Sequence, residues 1–378
     1  MGLTAEKWAP DQNVDGRSIS VHPVWLPMRF DDVTGRITYA NGEFQLVKIN
    51  ARRGDSEIEL AGTGQVSPDG RWGVGLTRVI CDRIQVDHAF TEALPDGLRQ
   101  AIRQLEYRGP LSISGNARLN GGESKPTDVG WDLLLDIENG AIDNCLKLEH
   151  IHGGVRLTGE KNSKGLTCRG ELAIDSLMTR GVQVTQVQGP LWLDRLQLIL
   201  GSRADVTRPD QSPRQVTAKA LGGRCALDGH VVLDDRLAYA IDVWFNEGDL
   251  QAIADTTHMK RHDISGKAYS VLKLSGAKAG LHTLKGNGQV RLRDANIYEL
   301  PVMVELLSFL SLKTPDDTAF TLGDIDFRIN GEEVYLDRID FTGDAISLKG
   351  KGWMDVNRRI NLDFYALVGS HELQLPLI

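Results

Sequence analysis

Apolar and polar residues alternate one by one through stretch after stretch of this chain. Ile325, Phe327 and Ile329 are separated by Asp326 and Arg328. Ile360, Leu362 and Phe364 are separated by Asn361 and Asp363. A period of two belongs to a β-strand, whose successive side chains point to opposite faces. These stretches therefore predict half-buried strands with one apolar and one polar face. Asn330-Gly331 follows the first of them, and that pair favours the tight turn of a hairpin. Val334 and Leu336 come next, and the phase then slips to Ile339 and Phe341 across Asp337-Arg338. The slip predicts a bulge. With Ile346 and Leu348 as a further short strand, this region reads as an antiparallel meander.

The same texture begins near the other end. Ile37 to Tyr39, the Asn41-Gly42 turn and Phe44 to Val47 predict a hairpin, and Ile58 to Leu60 lead into Gly62-Thr63-Gly64-Gln65-Val66. That string returns as Gly286-Asn287-Gly288-Gln289-Val290 and, more loosely, as Gly350-Lys351-Gly352-Trp353-Met354. Single-glycine versions stand at Gly115, Gly170 and Gly229. Together they predict a supersecondary unit repeated at irregular spacing. The chain has 40 glycines and 13 prolines without low complexity, which fits many turns.

Two helices are expected among the strands. The first lies near 95–107, where Leu98, Ile102 and Leu105 share a face opposite Arg99, Gln100, Arg103 and Gln104. The second lies near 301–312 after Leu300-Pro301. Val302, Leu306, Leu307, Phe309 and Leu310 make it apolar almost all round, as a cap on the sheet or a membrane-contact helix would be. Residues 203–216, with Pro209, Pro213 and several charges, read as an exposed loop.

No chemistry-bearing pattern survives inspection, so no catalytic residue, metal or cofactor is expected. The Gly-x-Gly pairs precede strands and lack the lysine and third glycine of phosphate-binding loops. They are read as places where a strand bends or backbones approach. His150 and His152 share one strand face, but no third ligand accompanies them. His258 and His262 read as solvent-exposed. Asp31-Asp32, Asp234-Asp235 and Asp316-Asp317 sit in expected turns or strand starts, where aspartate caps the local backbone. Cys81, Cys145, Cys168 and Cys225 lack CxxC spacing and read as small apolar fillers. A Cys145–Cys168 bridge is the alternative in an oxidising compartment. The net charge of −8, with no basic stripe carrying aromatics, argues against nucleic acid as a partner. The first eight residues lack the apolar core of a secretory signal, and no apolar run is long enough to cross a bilayer as a helix. The apolar ending Gln374-Leu375-Pro376-Leu377-Ile378 reads as a cut through a longer chain.

Several of these motifs share order and spacing with a known family. Leu274-Ser275-Gly276, Leu284 to Val290, Ile297 to Pro301, the apolar helix and the strands ending Ile360 to Phe364 resemble the C-terminal region of AsmA-like proteins. Val86-Asp87-His88 through Leu94-Pro95, with the helix ending at Gly109, is similar to upstream segments of long members. The resemblance divides the chain into a repeated strand segment, 1–250, and a family-like C-terminal region, 251–378. It implies a mainly β fold: a long, curved antiparallel sheet forming a groove with an apolar inner face. The family is related to TamB-type and bridge-like lipid-transfer proteins. By likeness, the chain would be periplasmic, held at the inner membrane by a segment outside it. It would handle phospholipid or another acyl-chain lipid in support of outer-membrane homeostasis.

Elementary physics meets the resemblance at one question. A sheet with one apolar face must cover that face. Helical sequence is scarce, so either acyl chains lie along it, or protein closes it into a structural scaffold or interaction module. In the lipid reading, Ile325, Phe327, Ile329, Ile360, Leu362 and Phe364 line the groove. A carbohydrate-active enzyme is a third reading, weakened by an aromatic content of 6%.

Overall fold

The computed structural model describes residues 19–22, 28–94, 96–122, 125–143, 147–194, 196–205, 212–256, 264–295, 321–343, 346–357 and 359–368. Among them, twenty strands join in one antiparallel sheet, accompanied by three short α-helices. The mainly β expectation therefore holds. The chain forms two compact units, one made chiefly of residues 1–180, 185–216 and 232–235, the other of 181–184, 217–231 and 236–378.

The first unit is a meander. β1 (Asp31–Ala40), β2 (Glu43–Arg53), β3 (Ser56–Val66) and β4 (Trp72–Gln85) pair in sequence. Asn41 and Gly42 both take positive φ in the β1–β2 turn, as its Asn-Gly sequence predicts. Two helices follow, α1 (His88–Ala93) and α2 (Asp96–Leu105). Asp87 caps α1 by accepting the Phe90 amide at 2.8 Å. The chain then enters β5 (Tyr107–Arg108), β6 (Pro110–Gly122), β7 (Lys125–Asp143), β8 (Lys147–Asn162) and β9 (Gly165–Thr179), with β6 pairing back onto β4. β10 (Val182–Asp194) and β11 (Gln197–Leu200) form a hairpin.

β12 (Val216–Ala220) precedes the second meander, which runs β13 (Gly223–Val232), β14 (Tyr239–Asp249), α3 (Leu250–Thr256), β15 (Lys267–Gly276), β16 (Lys285–Arg293), β17 (Leu322–Asn330), β18 (Glu333–Thr342), β19 (Ile346–Asp355) and β20 (Ile360–Val368). Neighbours from β13 to β20 pair antiparallel. The expected bulge is present: the register of β18 jumps from Leu336 to Ile339 against β19. Asp337, left outside the ladder, accepts two bonds from the Arg328 guanidinium, at 2.6 and 2.7 Å. α2 matches the helix expected near 95–107. α1 and α3 were not legible, because each is barely two turns long and carries no full period of its own. The apolar helix expected near 301–312 lies outside the described residues.

Candidate functional site

Antiparallel register places paired residues on the same face, so each face can be traced strand by strand. In the first unit one row runs Ile37, Leu46, Gly62, Leu76, Ala117, Trp131, Gly159, Cys168 across eight strands. In the second unit another row runs Leu227, Val243, Leu272, Gly288, Phe327, Leu336, Gly352, Leu362, again across eight strands. Neither row contains a charged, amide or hydroxyl side chain. One residue along, the face inverts: Asp228, Asp242, Lys273, Asn287, Arg328, Tyr335, Trp353, Asn361. Each unit is thus a single-layer sheet with one continuous apolar face and one polar face.

Ile325, Phe327, Ile329, Ile360, Leu362 and Phe364 all fall on the apolar face of the second unit. Val302, Leu306, Leu307, Phe309 and Leu310 lie outside the described residues. Asp324 and Asp326 stand on the opposite face, bound into an ion-pair network in which Arg291 and Arg338 reach Asp326 at 3.0 and 2.8 Å and Arg293 reaches Asp324 at 2.8 Å. His150 has positive φ, and its Nδ1 lies 2.9 Å from Asn139 Oδ1. Among the described residues, no group of three His, Cys, Asp or Glu side chains is placed to hold a metal. His258, His262 and Cys145 lie outside the described residues.

The repeated glycines sit on the apolar face for a reason that sequence alone did not disclose. A Cβ on Gly288 would lie 2.5 Å from Phe327 Cζ, and one on Gly350 would lie 2.5 Å from Phe364 Cδ1. A Cβ on Gly64 would collide with the Phe44 ring, and one on Gly159 would lie 2.7 Å from Trp131 Cζ2. The missing side chain lets a cross-strand ring lie flat along the sheet. The expected close approach of backbones is present as well: a Cβ would collide with Gly75 O at Gly62 and with Asn361 O at Gly352, and would lie 2.5 Å from Lys273 O at Gly286. Ring seating adds to that role at Gly64, Gly159, Gly288 and Gly350.

Coverage of the apolar faces is uneven. In the first unit α1 and α2 close one end, where Ile84, Phe90 and Leu111 are buried with Ile102, Ile113 and Ile137 packed around them. In the second, Leu250 and Ala254 of α3 pack with Leu292, Ile339, Phe341 and Leu348. The far ends of the outermost strands are open: Ile37 and Tyr39 of β1 are 64% and 68% exposed and Ile360 of β20 is 55% exposed, whereas Trp131, Leu166 and Cys168, at the same end of β7 and β9, are buried. Three thiols lie on the apolar faces as single fillers. Cys168 is free and buried. Burial pushes the Cys81 and Cys168 thiols up to about 11 from 9.0. On the polar face of the first unit, Gly73 and Gly75 leave an open hollow of about 690 Å³ rimmed by Thr38, Gln45, Thr63, Gln65, Arg118 and Asn120.

The apolar rows of β6 to β9 were the part of the site least visible in sequence. Leu133-Leu134-Leu135 hides the alternation, because Leu134 points to the polar face and is 48% exposed. The flanking Asp132 and Asp136 were the available signal.

Taken together, each unit is a β-sheet-rich, groove-like fold with an extended apolar face. No family model, no curated protein and no solved structure matches the chain.

Proposed function

We propose that the chain is a non-enzymatic lipid-holding or lipid-conducting module, of the kind the AsmA-like resemblance implies, working in the periplasm of a bacterium with two membranes. The observation that carries this reading is the apolar face spanning eight strands in each unit, exposed at Ile37 and Tyr39 in the first and at Met354 and Ile360 in the second. About eight methylenes laid against such a face gain roughly 6 kcal/mol, enough to hold an acyl chain without a built pocket. Weak, distributed contact also suits sliding, since no step along the face has to break a specific bond.

The test is extraction of the purified protein into organic solvent, with native mass spectrometry alongside. Phospholipid at near-stoichiometric amounts is the expected result, and protein free of any lipid would sink the reading. Leu362→Asp places a charge in the second row and is expected to lower lipid content severalfold while the β signature persists. The competing reading, a structural scaffold with a protein-covered face, draws on the buried cluster around α3. It requires Leu362→Asp to unfold the second unit instead.

A further inference from the structure

Among the described residues β20 pairs with one neighbour, β19, so its other edge presents unbonded backbone along Ile360–Val368. That edge carries none of the devices that keep strand edges apart. Its ladder with β19 runs without a register shift or a positive φ, and its sequence holds no proline, lysine or arginine. The edge of β1 is built differently. Its register against β2 breaks twice, Asp32 and Gly35 take positive φ, and the Val33 amide donates to Ile19 O at 2.9 Å. β20 also shows apolar groups on both sides. Ile360, Leu362 and Phe364 belong to the apolar face, while Tyr365 and Leu367 stand on the polar face, 59% and 49% exposed.

Such an edge fits a second copy of itself. The nine residues of β20 overlap the same nine in full, running antiparallel, when Phe364 stands opposite Phe364 of the copy. That register keeps the faces matched, because paired residues share a face. Leu362 then stands opposite Ala366, Asp363 opposite Tyr365 and Asn361 opposite Leu367. Charge permits the pairing. Asp363 is the one charged residue of the strand, and it meets Tyr365 instead of a second carboxylate. Lys351 flanks Asp363 on β19, and Lys349, beside Tyr365, is bound to Asp340 at 3.3 Å. Arg359, just ahead of the strand, is held by Asp355 at 2.6 Å. The Phe364 ring lies over Gly350, on the β19 side, and so leaves the edge clear. We infer that the chain forms a symmetric dimer through antiparallel β20–β20 pairing, which carries the apolar face of one second unit onto that of the other copy. About eight to ten backbone hydrogen bonds form along such a pair. Each copy offers this edge once, so the assembly closes at two chains. The pairing does not rest on the lipid-holding reading.

Analytical ultracentrifugation of the purified full chain tests it. The parent should sediment with twice the chain's mass at micromolar concentration, without larger species. Tyr365→Lys with Leu367→Lys should weaken association at least about a hundredfold, because charge on a strand edge opposes pairing. Ile37→Lys with Tyr39→Lys, at exposed positions of β1, should leave it unchanged. Circular dichroism equal to the parent's shows that both double variants fold. Oxidative cross-linking reads the register. Asp363→Cys with Tyr365→Cys should lock the dimer through interchain disulfides. Asn361→Cys, about 20 Å from its counterpart in that register, should cross-link no more than the parent does. A parent that sediments as a single chain, its edge taken by another segment of the same chain, would overturn the inference. So would a dimer that survives Tyr365→Lys with Leu367→Lys, an open-ended polymer, or cross-linking at Asn361→Cys and not at the cysteine pair.

Discussion

Gly288 leaves a space that Phe327 occupies, and the same exchange recurs at Gly350 with Phe364 and at Gly64 with Phe44. Glycine in a strand interior costs backbone entropy, and here the cost is offset by seating a ring on the apolar face. Gly288→Val should therefore destabilise the protein by about 1–3 kcal/mol, read as a lower urea midpoint. Gly75→Ala is the contrast: its added Cβ would meet only Thr63 O, at 3.8 Å, so little change is expected. The buried thiols make a pH prediction. Cys81 and Cys168 titrate near 11 when folded and near 9.0 when unfolded. Between those values the folded state binds more protons, so their contribution is complete below pH 9 and is lost as pH rises to 11. Stability should fall across that window, on the order of 2 kcal/mol per thiol, and serine at both positions should flatten the profile.

At the scale of elements, the short helices decide which end of each apolar face is closed. α3 is too short to persist alone and is held by burying Leu250 and Ala254 against the sheet. Leu250→Ala should cost about 2–4 kcal/mol and loosen the neighbourhood of Leu292 and Phe341, measurable as faster amide exchange there. The opposite faces carry exposed or half-exposed ion pairs, each worth less than about 1 kcal/mol. The pairs keep that side of the sheet wet and the two faces distinct. The β18 bulge serves the same end. It shifts the phase by one residue so that Ile339 and Phe341 rejoin the apolar row that Val334 and Leu336 began.

On the scale of the whole molecule, the short helices cover only part of each unit's apolar face among the described residues, and apolar surface left to water is unfavourable. A bound guest would cover the remainder and add to stability by mass action. Protein stripped of lipid by detergent exchange should therefore unfold at a lower temperature than protein as purified, and added phospholipid should restore the midpoint. Equal midpoints in the three states would favour the scaffold.

Strand content, the hairpin at Asn330-Gly331, the bulge at Asp337-Arg338 and the shared face of Ile325, Phe327, Ile329, Ile360, Leu362 and Phe364 were all legible in the order of residues. The reason is that a period of two and a turn dipeptide are local properties, carried by residues next to one another. Tertiary structure decided the rest. Only register between strands could show that Gly62 stands beside Leu46 and Leu76, and that row after row joins into two apolar faces. Only packing could show that α1 and α3 form and that one end of each face is closed. Those features depend on hydrogen bonds and burial between residues far apart in the chain, which alternation does not encode.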